Sequence, residues 1–332
     1  MKVKVFLESA GNFDERDILK NFYDGIKMFE NTKSDVPTDR LEVEWGMSQQ
    51  YEHCDLAVMM GSWKDRDRPH HNTRRDIVKN APMFLVVETP LLSRVMFERS
   101  TQHRIGINGF LNHNAVFTAG NHGNDRLQKL GVTWNGWKND PNGHILLMLQ
   151  LPGDASLRGI NMWQWGMWAY QNIRKYTKNK IIIRTHPGHH PKEMDTVYKF
   201  ISDVSLNEDK NVEVVIGSKE RPLQSDLKGA YCTVSYSSGS SIDSVLAGIP
   251  TIAMDPGNFA YGISSNYIEH IDGDNLRKAE DRDILQWMNN LSYSQWSVEE
   301  MASGRVWQHL KPILDVKTLE AHFTRAKGKG KR

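Results

Sequence analysis

Apolar residues recur along this chain in short β-branched runs, separated by polar stretches with helical spacing. Val3–Leu7 is the first run. Asp14–Met28 follows, with Ile18, Phe22 and Ile26 on one face of a predicted helix. Leu41–Trp45, Leu56–Met60 and Met83–Val87 read as further strands, the last two ending at Gly61-Ser62 and at Glu88-Thr89-Pro90. Residues 101–143 are rich in Gly, Asn and His and poorly periodic, so irregular strands and loops are expected there. The pattern resumes with Ile145–Leu151, an aromatic helix over Asn161–Tyr176, and strands at Ile181–Arg184, Val212–Ile216, Cys232–Val234 and Thr251–Met254. Residues 276–324 look helical. Strands alternating with helices imply parallel sheets.

This order predicts an α/β chain of two Rossmann-like, doubly wound domains with an interdomain cleft. The boundaries expected are 1–143 for the first domain, 144–320 for the second with its C-terminal helices, and 321–332 for a basic flexible tail. A length of 332 residues suits two such domains. The net charge of +2 is too small to imply nucleic acid by itself. Cys54 and Cys232 both lie in apolar runs and read as reduced core residues. No apolar run approaches the ~20 residues that span a bilayer, and the N-terminus lacks the apolar core of a signal peptide. The expectation is a soluble, cytoplasmic protein with no membrane partner. Its oligomeric state is left open.

The richest chemistry lies between residues 181 and 256. The run IIIR ends in Arg184, His186 and Pro187, and the next apolar run ends in a Ser/Gly cluster that opens a short helix. Small hydroxyls at a helix start, together with strand-end cations, suit a nucleotide diphosphate at the carboxyl ends of parallel strands. The candidates there are Ser156, Arg158, Arg184, His186, Ser237, Ser238, Ser240 and Ser241, with Asp243 placed to accept from ribose hydroxyls. Ser240 or Ser241 as a plain helix cap is the competing reading. His186, His189 and His190 cluster without the carboxylate or cysteine pattern of a metal site, and His189 and His190 read as loop surface. No metal and no tightly bound cofactor is expected. Walker, dinucleotide and nucleophile-elbow motifs are all absent from the sequence.

In the first half, Glu88 stands at a strand end where a carboxylate could take a proton from an acceptor hydroxyl. A carboxylate that caps the next segment is the bland alternative. Glu8 and Asp14 are the runners-up. Lys64, Arg66, Arg68, Arg74 and Arg75 form a basic segment able to grip a phosphate backbone, though Asp65, Asp67 and Asp76 dilute its charge and a mixed-charge surface loop reads equally well. The tail adds Arg325, Lys327, Lys329, Lys331 and Arg332. Trp163, Trp165, Trp168 and Tyr170 crowd one helix with apolar residues around most of its circumference, which implies packing.

The order of elements resembles the two-domain nucleotide-sugar glycosyltransferases of GT-B type. His186-Pro187 and the serine cluster at 237–241 resemble nucleotide-contacting motifs of bacterial sialyl- and Kdo-transferases. CDLAVMMGSW with MFLVVETPLLSR, LLMLQLPGDASLRG and SSIDSVLAGIPTIAMD resemble segments of phage DNA glucosyltransferases. That resemblance implies Glu88 as catalytic base, Ser156 and Arg158 on the diphosphate, and Asp243 on the ribose. The chain departs from it by carrying Glu88 where that family has Asp, Asp243 where it has Glu, and Ser240 where it has Arg. The implied activity is transfer from a UDP-sugar to a hydroxyl, with a 5-hydroxymethylated pyrimidine in double-stranded phage DNA as acceptor. Three alternatives stand beside it: a surface-polysaccharide transferase using a CMP- or UDP-sugar, a nucleotide-sugar epimerase, and a non-catalytic nucleic-acid-binding protein on the same scaffold.

Overall fold

A computed structural model describes residues 2–6, 13–32, 42–46, 50–64, 68–94, 98, 100–138 and 140–316. In chain order the elements are β1 (Lys2–Phe6), α1 (Phe13–Thr32), β2 (Glu42–Gly46), β3 (Leu56–Met60), α2 (Pro69–Asn80), β4 (Met83–Glu88), β5 (Gln102–Ile107) and α3 (Asp125–Lys129). Then come β6 (His144–Met148), α4 (Met162–Tyr176), β7 (Ile181–Thr185), α5 (Met194–Ser205), β8 (Val212–Ile216), α6 (Leu223–Leu227), β9 (Ala230–Ser235), α7 (Ser240–Leu246), β10 (Thr251–Ala253) and α8 (Asp281–Ser292). β11 (Gln295–Ser297), α9 (Val298–Ala302) and a helix over 305–316 follow. No helix among the described residues is long and apolar enough to cross a membrane.

The chain divides into two compact units. The first takes the described residues up to Phe110, then Asn114–Arg126, then those from Asn289 onward; the second takes Leu111–His113 and Leu127–Met288. This differs from the boundary expected at 143/144 and from assigning the C-terminal helices to the second domain. The reason is β11, which pairs antiparallel with β5 and so returns the chain to the first sheet. The expected basic tail at 321–332, with Arg325 and the lysines after it, lies outside the described residues.

The first sheet runs β11-β5-β4-β3-β1-β2. Its four central and outer strands β4, β3, β1 and β2 are parallel, while β5 is antiparallel to β4. The region expected to be irregular therefore contains a regular, buried strand. β5 carries His103 and Arg104 inside the sheet, and these polar residues break its apolar signal. Val3, Leu56, Leu85, Ile105 and Phe22 share one core with Trp307, Leu310 and Leu314 of the last helix. α1 and α9 meet at Gly25, where a Cβ would fall 1.8 Å from the Met301 carbonyl oxygen. Only glycine allows that approach.

An aromatic cluster closes this unit. His309 lies 5.0 Å from the Trp296 ring, 5.7 Å from Tyr293 and 5.6 Å from His122. Burial, with His122 and Arg126 adding to it, pushes the His309 imidazole down to about 4. Burial also lowers His122, against the opposing pull of Asp125. An unfolded histidine titrates near 6.5, so between pH 6.5 and about 4 the unfolded chain binds the extra proton. Stability is expected to be retained above pH 6.5 and lost as pH falls towards 4. Thermal melts at pH 7 and pH 5 check this: His309→Phe should shrink the drop in midpoint, and an unchanged drop would remove His309 as its cause.

The second sheet is wholly parallel, in the order β10-β9-β6-β7-β8. Counted within the unit from β8, this is third, second, first, fourth, fifth. It is the dinucleotide-fold order, whose direction of winding reverses between β6 and β9. α4 and α5 cover one face through Ile145, Leu147, Ile183, Ala169 and Phe200. Leu146, Met148, Ile182 and Leu227 pack on the other. The two units together are the Rossmann-like pair of the GT-B fold class.

Candidate functional site

A ligand of such a sheet binds outside the carboxyl ends of its strands, at the point where the winding reverses. In the second unit that point lies beyond β6 and β9, and one side chain organises it. Gln150 is buried two residues past β6. Its Oε1 accepts from Ser237 N at 2.9 Å, and its Nε2 donates to Ser156 Oγ at 2.8 Å and to Ser237 Oγ at 3.1 Å. Ser237 Oγ in turn donates to the Ser156 carbonyl at 3.0 Å. The loops after β6 and β9 are thereby tied into one rim. Sequence reading missed Gln150; its signal was an amide interrupting the apolar run Ile145–Leu151.

Asp154 caps the 3-10 turn Ala155–Leu157 by accepting from Ser156 N at 2.9 Å and from Ser156 Oγ at 2.7 Å. The turn ends at Arg158 with φ of 50°, a left-handed conformation that only a few per cent of non-glycine residues adopt. Arg158 Nη1 lies 2.7 Å from His113 Nε2, and Nη2 is paired with the Asp255 carboxylate. Asp255 is buried and also accepts from Gly257 N at 2.7 Å. The Tyr236 hydroxyl bonds with the same pair; burial raises the phenol, Arg158 opposes the rise and Asp255 adds to it. Tyr236 therefore stays a neutral hydroxyl at working pH. The result is an exposed guanidinium oriented by Asp255, His113 and the Tyr236 hydroxyl, whose remaining N–H groups suit phosphate oxygens.

The serine cluster splits. Ser237 joins the rim, and Ser238 and Ser240 share a hydrogen bond of 2.7 Å between their hydroxyls in half-buried positions. Ser241 is in the core, 2.6 Å from Ser235 Oγ and accepting from Asn258 Nδ2 at 2.8 Å. α7 has only seven residues, and the amides of Ser241 and Ile242 bond to the carbonyls of Ser238 and Gly239. Neither serine acts as the ordinary N-cap; Gly239 holds that place. Asp243 lies half-buried in the first turn of α7.

Arg184 is not brought to this rim. It is buried, ion-paired with Asp226 of α6, and donates Nη2 to the Arg221 carbonyl at 2.7 Å. Side chains alternate along a strand, so Arg184 shares its face with Ile182 and turns towards α6. His186 is half-buried beyond β7, its Nδ1 accepting from Gly188 N at 3.0 Å. His190 is exposed and caps the following turn, as a loop residue should. His189 instead has a side chain only 3% exposed, stacked on Trp163 at 5.6 Å. Burial lowers its imidazole while Glu193 pulls the other way.

In the first unit Glu88 ends β4 half-buried. Oε1 accepts from Ser62 N at 2.9 Å, Oε2 accepts from Thr89 N at 3.2 Å, and Arg104 Nη2 stands 3.9 Å away. The carboxylate thus ties the ends of β3 and β4. Arg74 donates to the Ser62 carbonyl at 3.3 Å, and Arg75 to the Lys64 carbonyl at 2.6 Å. Both shape the β3–α2 loop. Lys64 is half-buried and Arg68 is exposed at the start of α2. Asp14 falls in the first turn of α1, and Glu8 and Arg66 lie outside the described residues.

No family model matches the sequence, and no curated protein matches it. Among solved structures the chain is similar to KpsC of Thermosulfurimonas dismutans, a β-Kdo 2,4-transferase. The identity is 14%, the alignment covers 89% of this chain and 90% of that one, and the TM-score is 0.50. The β-Kdo 2,7-transferase of the same organism aligns over 92% and 99% of the two chains at 12% identity, TM-score 0.47. A UDP-GlcNAc 2-epimerase of Methanocaldococcus jannaschii, solved with UDP-GlcNAc and UDP, aligns over 95% and 100% at 11% identity, TM-score 0.33. The likeness is one of fold.

Proposed function

We propose that the chain is a glycosyltransferase that moves a sugar from a nucleotide-sugar to a hydroxyl of a glycan acceptor. The observation that carries this reading is the Gln150-tied rim, which gathers Ser156, Ser237 and Arg158 at the reversal point of a dinucleotide-type sheet. Such a rim suits the phosphates of a leaving nucleotide. The acceptor oxygen attacks the anomeric carbon, the bond from that carbon to the phosphate oxygen breaks, and its electron pair leaves on the phosphate. Arg158 meets the charge that develops there. Ser238, Ser240 and His186 border the same strand ends, and Asp243 remains the candidate for the ribose. Glu88 is assigned as the base that takes the acceptor proton, using the lone pairs its two backbone partners leave unused.

A glycan acceptor is favoured over hydroxymethylated DNA because Arg74 and Arg75 have work within their own loop, which accounts for them without a phosphate backbone. The fold match to a Kdo-transferase is compatible with a surface polysaccharide as that glycan. UDP- and CMP-sugars are the donors to test.

The test is mass spectrometry of the protein with UDP- and CMP-sugars, offered either oligosaccharide primers or duplex DNA containing 5-hydroxymethylcytosine. A hexose, pentose or ulosonic-acid increment on the primer is expected, and Glu88→Gln should retain donor binding while transfer is lost. An increment on the base would move the acceptor to DNA. Interconversion of the donor without any acceptor would make the protein an epimerase. No binding of either donor class would overturn the reading.

A further inference from the structure

The aromatic helix α4 reads from sequence as packing, yet the structure separates its indoles. Trp163 packs against Phe200 at 5.1 Å, with His189 stacked on it. Trp168 is 47% exposed. Between α4 and α5 runs an open groove of about 490 Å³ whose lining includes Trp163, Trp168, Gln164, Gln171, Lys199 and Asp203. None of these belongs to the rim built around Gln150.

We propose that this groove is a second binding site, taking a neutral segment of a glycan with one pyranose laid on the Trp168 indole. The lining chemistry selects that occupant. Lys199 Nζ bonds both oxygens of Asp203, at 2.7 and 3.0 Å, so the charged groups of the groove cancel. Both members of this pair face solvent, unlike the buried Asp255 beside Arg158, so an anionic phosphate or a basic peptide meets a like charge next to each counter-charge. What remains is a largely apolar lining, with the Trp168 indole beside Met167 and Phe200, edged by the carboxamides of Asn161, Gln164 and Gln171. A pyranose ring has one face of C–H groups that suits the electron-rich indole, and a rim of hydroxyls that both donate and accept. The carboxamides along the edge match such hydroxyls, while the apolar floor takes the C–H face. From Gln164 to Gln171 the helix advances roughly 10 Å, the reach of a short oligosaccharide.

The expectation of a glycan rests on the transferase reading. An enzyme that extends a polysaccharide gains by holding the chain away from the bond being made, because the tethered end then sees the active site at high effective concentration.

The experiment uses the full chain, fluorescently labelled, on an array of neutral and acidic oligosaccharides, with Trp168→Ala and Trp168→Phe in parallel. UDP and CMP binding are followed by calorimetry and molar mass by light scattering. Wild type should bind neutral oligosaccharides. Trp168→Ala should weaken that binding about tenfold or more, Trp168→Phe should keep most of it, and nucleotide binding should not change. Trp168 is exposed enough that its loss leaves the core intact. Absence of neutral glycans among the bound spots, or equal binding by Trp168→Ala, overturns the site. A wild-type dimer that Trp168→Ala converts to monomer would make the groove a self-interface instead. Loss of nucleotide binding in wild type, with glycan binding intact, would strike the transferase reading and leave the groove standing.

Discussion

Arg158→Ala is expected to lower the rate of sugar transfer by two to three orders of magnitude, about the cost of removing one preorganised donor from a site of developing charge. The argument starts from the backbone. A non-glycine residue at φ of 50° is held there against an energetic cost of about 1 kcal/mol or more. The Asp154-capped turn before it and Gly159 after it hold that conformation. The guanidinium is also aimed by Asp255 and His113 before any ligand arrives. A preaimed cation contributes most when the leaving phosphate gains charge, so kcat should fall much more than KM rises. Arg158→Lys should recover only part of the rate, since an ammonium cannot place two parallel hydrogen bonds on a phosphate. Asp255→Asn should cost less, because it leaves the guanidinium in place but less firmly oriented. Steady-state kinetics with the donor varied would decide. An Arg158→Ala enzyme with unchanged kcat would remove the leaving-group role.

Glu300→Ala should strongly destabilise the first unit. Arg126 is buried and donates to the Ser292 carbonyl at 3.0 Å, the Gln295 carbonyl at 2.7 Å, and both Glu300 oxygens at 2.8 and 3.1 Å. Its guanidinium lies 3.8 Å from the Trp296 ring centre. Removing the carboxylate leaves a buried cation without its counter-ion, at a cost of about 3–5 kcal/mol. The first thermal transition should fall by on the order of 10 °C. Arg126→Met combined with Glu300→Leu should recover part of the loss, because it removes the unpaired charge but leaves the Ser292 and Gln295 carbonyls without their donor. A double variant as unstable as Glu300→Ala would show that the pair itself supplies the stability.

The parallel strands were legible because both faces of such a sheet are buried and their sequences are continuously apolar. Leu56–Met60 and the strand beginning at Met83 fall where the pattern puts them. β5 and β11 were not legible: one carries His103 and Arg104 inward, the other has three residues, and each is defined by a partner far away in sequence. At the site, the strand-end positions of Ser156, Arg158 and Ser237 could be read from small and basic residues following apolar runs. Gln150 and His113 could not, since their roles depend on which loops become neighbours. Arg184 shows the converse error. Its place at a strand end suggested a ligand, whereas the alternation with Ile182 already pointed it towards α6.

The position of β11 sets an order of events during synthesis. Leu127–Met288 lies between β5 and the strand that completes β5's sheet. A ribosome therefore finishes the whole second unit before the first receives its last strand. At ordinary translation rates the wait is on the order of ten seconds or more. Throughout it, the outer edge of β5 has no partner from β11, and the core around Ile105 and Leu85 lacks Trp307, Leu310 and Leu314. The sheet begun first is thus the sheet completed last, and until β11 arrives its β5 edge is open to pairing with other chains.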